Sequence, residues 1–434
     1  MTAADRKDQN CLKVKNVVLG AGISGLACAC ELNRKGGKQN TAVFEAEDHA
    51  GGLCHSFKIS GFCFDSAVHL SFTENAAARK LFDRTSCLTH QPDAASYYHP
   101  LWLKHPVAGN LYPMETDEKV KCIRSFVERK SDAEIHNYGQ WLRASYGDVI
   151  AERFYYVYTK KYWTAEPEEL STSWIGSRLS SPGLEKVLRG TFTDDTGTDY
   201  YAREMRYPAG GNGFETFLAP MRNPVDIIPG RRCVKLDLKQ RYVQFQDQSR
   251  CCYEHLYSSI PLPDLVRCTV GAPENIRSAA AGLRASRISL VSVGIRNPDA
   301  AKWLWFYIYD RDILAARVNS PGIKCRENVP EGCSSLQFEI YHGPDERIDR
   351  EAVIRNTKYA LKKMEICKEE DIIFTDYRLL PYGNVIFYNG MEEKREEIRE
   401  YYRKHHVTLM GRFGEWDYLW SDQSWLSGCR AAHA

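Results

Sequence analysis

The chain has 434 residues, of which 43% are hydrophobic and 26% charged. At roughly 150 residues per domain this is room for two or three domains with a sizeable core, and the composition excludes a disordered chain, a collagen-like repeat and a disulfide-stapled miniprotein. Lys and Arg total 58 against 56 Asp and Glu, a net charge of +2, which supplies no bulk field for capturing nucleic acid.

The 15 cysteines form no C-x-x-C pair, so no structural metal is expected. Their odd number, with a polar start at Met1–Leu12 in place of an apolar leader, fits reduced thiols in a cytoplasmic protein. No apolar run is long enough to span a membrane, and no membrane partner is expected.

In chain order, Lys13–Leu19 reads as a short buried strand, and Gly20-Ala21-Gly22-Ile23-Ser24-Gly25 follows at once. Leu26–Lys35 then has the pattern of a helix packed on a sheet. In a G-x-G-x-x-G turn of this kind the first glycine makes the turn and the second admits a pyrophosphate. The third lets the helix lie close to the strand. The helix N-terminus offers unpaired N–H groups to the phosphates. A second strand, Thr41–Phe44, ends in Glu45, placed to accept hydrogen bonds from a ribose diol. Strand, glycines, helix, strand and acid in this order predict dinucleotide binding.

Beyond Glu45 come Ala46, the doublet Gly51-Gly52, Leu53, and Asp65-Ser66-Ala67-Val68-His69. This arrangement resembles the FAD-dependent superfamily that holds amine oxidases, protoporphyrinogen oxidase and UDP-galactopyranose mutase. The resemblance implies FAD, with the glycine doublet continuing the diphosphate cradle and the D-x-x-x-H stretch beside the flavin ring. Ala67 stands where a glycine is usual. His69 is either a satisfied loop histidine or a residue on the flavin face.

Next, a largely helical insertion has candidate helices at Lys119–Arg129, Ile135–Tyr146 and Glu152–Tyr162. A glycine loop at Pro208–Phe214 precedes strands at Val225–Ile228, Cys233–Leu236 and Tyr242–Phe245, and a crossing strand at His255–Pro261. Alternation at Ile288–Val293 and Trp305–Tyr309 predicts a half-buried sheet. The charged helix Glu392–His405 has like-charge i,i+4 pairs (Glu393–Glu397, Arg395–Arg399) and reads as a solvated face. A last strand, Val407–Met410, leads through Gly411-Arg412 into a helix over Asp417–Ala432 that carries Asp422-Gln423. The expected architecture is α/β, a Rossmann-like FAD-binding domain of the glutathione-reductase-like flavoprotein kind. By residue number, its three parts cover 12–97, 206–265 and 376–434. The helical insertion covers 98–205, and a mixed β-sheet substrate domain covers 266–375.

Three stretches are similar to UDP-galactopyranose mutase: Tyr158-Thr159-Lys160-Lys161-Tyr162-Trp163 with Arg178 beyond it, Ala316-Arg317-Val318-Asn319, and Gly411-Arg412 with Tyr418 and Asp422-Gln423. The resemblance implies that Trp163 stacks on a nucleotide base and that Arg178, Arg317 and Tyr418 reach a diphosphate. Gly411, Arg412, Asp422 and Gln423 would then join Gly20, Gly22, Ile23, Ser24, Gly25, Glu45, Ala46, Gly51, Gly52, Leu53 and His69 around FAD. His69, Arg178 and Arg317 become the catalytic candidates. The competing expectation is a surface or interface salt bridge for each arginine, and a core aromatic for Trp163. Tyr207, Tyr341 and Tyr382 are unranked further candidates.

Two enzymatic readings stay open. One is a mutase interconverting pyranose and furanose forms of a UDP- or dTDP-sugar, with reduced FAD acting through N5 at the anomeric carbon. The other is an amine-oxidase-like, protoporphyrinogen-oxidase-like or sugar-nucleotide oxidoreductase moving hydride to N5. A third, non-enzymatic reading keeps FAD for stability alone. The expected partner is a small molecule, a nucleotide sugar in the first reading, and an oligomer is compatible with the sequence.

Overall fold

A computed structural model describes residues 11–194, 202 and 204–434. The polar start at 1–10 and part of the helical insertion's end lie outside the described residues.

Two large sheets organise the chain. The first has strands Cys233–Asp237, Tyr242–Phe245, Arg250–Ser258, Cys11–Leu19, Thr41–Phe44 and Ile227–Ile228 in that spatial order, with Val407–Leu409 also paired to Arg250–Ser258. Its centre is parallel: Cys11–Leu19 pairs in parallel with both Arg250–Ser258 and Thr41–Phe44. Such strands are covered on both faces, and Val17, Val18 and Val43 are fully buried. The helix Ile23–Gly36 lies on this sheet, with the C-terminal helix Ser421–Ala431 against it. Small residues permit this close approach. A Cβ at Gly25 would sit 1.9 Å from the Gly20 carbonyl oxygen, and one at Gly428 would sit 2.1 Å from that of Ser24.

The second sheet runs Ile372–Leu380, Arg287–Ile295, Ser334–His342, Arg317–Asn319, Trp305–Ile308, Ala94–Tyr98 and Leu101–Lys104. Period-2 alternation divides its faces. Leu336, Phe338 and Ile340 pack with Val291, Val293, Val353 and Leu361, beneath the helix Arg350–Lys363. Gln337, Glu339 and Tyr341 take the alternate positions of the same strand. The predicted half-buried sheet is corrected here: Ser292, Gln337 and Glu339 on the polar face are all fully buried, as is Ser289 on the apolar one. The boundaries expected at 97/98 and 375/376 both fall inside strands of this sheet, Ala94–Tyr98 and Ile372–Leu380, because the sheet is assembled from segments on both sides of each boundary.

Helices Thr116–Val127, Tyr138–Tyr146, a run from Asp148 to Trp163 and Leu184–Phe192 form the insertion. The third is widened by a π stretch at Ala151–Tyr155, a feature that often accompanies a functional site.

The helix Met391–Lys404 departs from its expected role as a solvated face. Arg395 donates to the carbonyl of Trp416 at 3.2 Å and Arg399 Nε to that of Glu415 at 2.8 Å. Their like charges are tolerated because both also face Asp417, at 3.5 and 3.7 Å. Among the described residues no helix is long and apolar enough to cross a membrane, and no group of side chains could hold a metal ion. Every cysteine whose side chain is described is a free thiol.

Substituting Gly428→Val should destabilise the fold by about 2 kcal/mol or more, because the added carbon meets backbone on the facing helix. Urea denaturation checks this, with an unchanged midpoint as the contrary result.

Candidate active site

The glycine turn builds a cradle from backbone. Gly20, at φ +93°, donates its N–H to the Phe44 carbonyl at 2.8 Å, and Gly51 donates to that of Ala21 at 2.9 Å. Gly22 and Gly51 form a parallel bridge, and a Cβ on Gly22 would meet only Gly52 Cα, at 4.0 Å. That side of the turn is therefore open and walled by main chain. Gly22 caps the helix with no side-chain bond, leaving the N–H groups of Ser24 and Gly25 for an incoming acceptor.

Glu45 is 8% exposed and accepts at both oxygens, from the Ala21 N–H at 2.7 Å and the Glu47 N–H at 3.0 Å. Each oxygen keeps a second lone pair for a hydroxyl. Ala46 and Leu53 are half-buried beside it, and Gly52 is exposed.

The chain's other end meets this cradle. The Gly411 N–H donates to Ser427 Oγ at 2.7 Å, and a Cβ there would lie 2.1 Å from Ser24 Oγ. Asp422 is in the first turn of the last helix, and Gln423 Oε1 accepts from the Trp420 N–H at 2.9 Å. Arg412 donates to Asn384 Oδ1 at 2.6 Å and to the Leu419 carbonyl at 3.1 Å.

A buried ion pair supports the D-x-x-x-H stretch. Lys324 Nζ and Asp65 Oδ2 are 2.8 Å apart, and both side chains are wholly inaccessible. Asp65 also accepts from Ser56 Oγ at 2.8 Å, the Phe214 N–H at 2.8 Å and the Tyr207 hydroxyl at 2.9 Å. Burial opposes its ionisation, but Lys324 and the Phe214 N–H outweigh that and hold its pKa below the ordinary value. Ala67 adopts φ +78°, so the glycine usual at this position answers a left-handed backbone, which here costs about 1–2 kcal/mol.

The Val68 N–H is tied to Glu339 Oε1 at 2.8 Å. His69 Nδ1 lies 3.2 Å from the Ala67 carbonyl, which assigns its proton to Nδ1 and leaves Nε2 as an acceptor. Burial lowers the His69 pKa to about 4, so the ring is neutral at pH 7.

Arg178, Arg317 and Arg412 gather around the Tyr162–Tyr418 pair. The two hydroxyls are 2.8 Å apart. Arg178 lies 4.7 Å and Arg412 4.6 Å from the Tyr418 ring centroid, and Arg317 lies 5.8 Å from that of Tyr162. Arg317 has a carboxylate partner: its Nε and Nη2 reach Glu339 Oε2 at 2.9 and 2.7 Å, and Tyr341 donates to the same oxygen at 2.7 Å.

Arg178 donates to the carbonyls of Trp174 and Tyr418, and burial lowers its pKa. Neither Arg178 nor Arg412 has an ion pair among the described residues. Four buried donors in this cluster lack any acceptor: Arg178 Nε, Arg412 Nε, Asn384 Nδ2 and Trp174 Nε1.

Trp163 is 2% exposed, with ring centroids of Trp174, Tyr418 and Tyr162 at 4.7, 5.2 and 5.2 Å. It is a core aromatic in this structure, and a base could stack on it only by displacing a neighbouring ring. Tyr207 is engaged by Asp65, Tyr341 by Glu339, and Tyr382 by Asp264 at 2.8 Å. Sequence reasoning missed Glu339, Lys324, Asn384 and Trp174. Only Glu339 had a signal, as the one carboxylate of the strand Ser334–His342.

Residues 18–85 match the family model of an NAD(P)-binding Rossmann-like domain. A crystal structure of reduced UDP-galactopyranose mutase superposes with a TM-score of 0.90 at 21% identity, covering 97% of this chain and 93% of that one. A putative protoporphyrinogen oxidase from Exiguobacterium sp. 255-15 gives 0.73 at 14% identity, covering 97% and 98%.

In sequence, the chain is 51% identical over 53 residues to all-trans-retinol 13,14-reductase of Danio rerio, 12% of this chain and 8% of that protein. It is 43% identical over 51 residues to 1-hydroxycarotenoid 3,4-desaturase of Flavobacterium sp. (strain P99-3), 12% and 10%. These matched segments span a tenth or less of the relatives' length. The chain thus has the fold shared by UDP-galactopyranose mutase and the protoporphyrinogen-oxidase-like flavoproteins, with a dinucleotide-binding Rossmann-like domain at its start.

Lys324→Met should cost about 3–5 kcal/mol, since it leaves the Asp65 charge buried without its partner; chemical denaturation reads this. His69 binds its proton less readily folded than unfolded, so it adds stability as pH rises from about 4 towards its ordinary value near 6.5. Between those limits, urea midpoints of His69→Gln should vary less steeply with pH than those of the parent.

Proposed function

We propose that this chain is an FAD-dependent enzyme acting on a phosphate-bearing small molecule, and that its reaction is the pyranose–furanose interconversion of a nucleotide sugar. The observation that carries this reading is the set of four acceptorless donors around Arg178 and Arg412, next to the dinucleotide cradle. Unsatisfied buried donors cost free energy unless an acceptor arrives, and a diphosphate supplies several acceptor oxygens with matching charge.

The residues present fit FAD. The main-chain wall at Gly22 and Gly52, the N–H groups of Ser24 and Gly25 and the spare lone pairs of Glu45 suit its diphosphate and ribose. Gly411, Asp422 and Gln423 would complete the holder. When bound, FAD supplies N5 as the reacting centre, for bond formation with a sugar or for hydride acceptance.

The chain's own groups position and neutralise. Arg178 and Arg412 hold the leaving diphosphate, with Tyr418 between them. Arg317, braced by Glu339, adds a third cation from the second sheet. His69, neutral and fixed through Nδ1, presents Nε2 as a proton acceptor towards the flavin side. Trp163 supports Tyr418 from the core.

An oxidoreductase is the second reading. It is favoured by the tyrosine-rich wall of Tyr158, Tyr162, Tyr307 and Tyr341, which suits an apolar substrate. The segments shared with a retinol reductase and a carotenoid desaturase also support it.

Anaerobic reduction with UDP- and dTDP-sugars and cyanoborohydride, followed by mass spectrometry of the extracted flavin, decides between them. A flavin heavier by one sugar is expected. Unmodified flavin together with stoichiometric peroxide under oxygen would instead establish the second reading. Arg178→Ala and Arg412→Ala should each lower kcat/KM by about 10- to 100-fold with flavin retained.

A further inference from the structure

Lys161 precedes Tyr162 in the helix Tyr156–Trp163, yet its side chain joins a different part of the molecule. Its Nζ donates to the carbonyls of Ile308 at 3.0 Å, Asp310 at 2.6 Å and Ala315 at 3.2 Å. An ammonium has three protons, and each here has an acceptor, although burial pushes the pKa of Lys161 down to about 7 against the opposing pull of Asp310 and Asp312. Lys161 makes no ion pair among the described residues. The nearby carboxylates of Asp310 and Asp312 are occupied by Lys363, at 2.6 and 2.9 Å.

The three carbonyls ring the turn between the strands Trp305–Ile308 and Arg317–Asn319, and Ala315 lies two residues before Arg317. The turn does not need Lys161 to close. Ile308 and Ala316 bond across it at 3.0 Å. Its outer side is held by Asn356, which accepts from the Leu314 N–H and donates to the Asp312 carbonyl, both at 2.8 Å. What Lys161 adds is a link from the turn to the helix that carries Tyr162.

We infer that Lys161 is a positioning residue, a hydrogen-bonding pin that sets Arg317 against the Tyr162–Tyr418 pair and so fixes the spacing of the three arginines. Tyr162 is its chain neighbour and Arg317 leaves the turn it pins, so the 5.8 Å between the Arg317 guanidinium and the Tyr162 ring depends on this link. Rigid helix and strand carry the two groups. Loss of the pin therefore shifts one against the other without unfolding either.

The functional arm of this inference rests on reading the arginine cluster as an anion site, and the experiment separates the two. Lys161→Met and Lys161→Arg are made in the full chain. Hydrogen exchange is followed in peptides covering residues 305–319, and UDP binding is followed by quenching of tryptophan fluorescence. The expected result for Lys161→Met is exchange at least about tenfold faster in that segment and UDP affinity about tenfold weaker. Lys161→Arg, which keeps a cation with several donors, restores affinity to within about threefold of the parent.

If Lys161→Met fails to fold, Lys161→Gln, with two donors and no charge, replaces it with the same expectation. Unchanged exchange and affinity in the uncharged variant overturn the inference. So does an arginine variant as weak as the uncharged one, which would reduce Lys161 to packing. A parent protein that does not bind UDP counts against the anion site, while faster exchange in the uncharged variant still establishes the pin.

Discussion

Asp65 and Lys324 face each other where neither charge reaches water, and that arrangement holds only if every remaining bond is made. The carboxylate therefore draws in Ser56, Tyr207 and the Phe214 N–H, and the Asp65 carbonyl takes Gln337 Nε2 at 2.9 Å. Those groups come from the cofactor side, from the segment that returns to it and from the second sheet. The penalty for an unpaired buried charge, several kcal/mol, thus fixes how the two sheets meet. Ala67, Val68 and His69 follow Asp65 directly, so the same constraint aims the stretch that would face a flavin.

The arginine cluster has the opposite character. Arg317 has a carboxylate partner in Glu339, whereas Arg178 and Arg412 lean on aromatic faces and neutral acceptors and keep donors in reserve. A protein interior normally pairs such groups. An excess of donors over acceptors beside an open dinucleotide cradle is what a site for a charged ligand requires. The aromatic walls lower the local dielectric and strengthen each contact that an anion would make.

The last strand and helix obey a related rule. Arg395 and Arg399 meet the carbonyls of Glu415 and Trp416, and so hold the turn that presents Arg412 and Tyr418. Two like charges four residues apart look unfavourable on an isolated helix. Here the pair is stable because the partner charge and carbonyls belong to another segment.

The amino-acid sequence by itself determined the pieces whose signals are local. Strand Cys11–Leu19, the glycine turn, helix Ile23–Gly36 and strand Thr41–Phe44 follow from β-branched runs, turn residues and helical periodicity among near neighbours. The terminal strand, glycine turn and helix were legible for the same reason. Arg178 and Arg317 were legible only through resemblance.

Tertiary structure decided everything that depends on two distant segments meeting. It placed Arg412 against Tyr418 and Asn384 in the arginine cluster, buried Trp163 among other rings, paired Lys324 with Asp65, and buried the polar face of the second sheet. A lysine's neighbours in the chain carry no information about a carboxylate more than two hundred residues away. Charge pairing and ring packing act through space, and their partners appear only once the fold has closed.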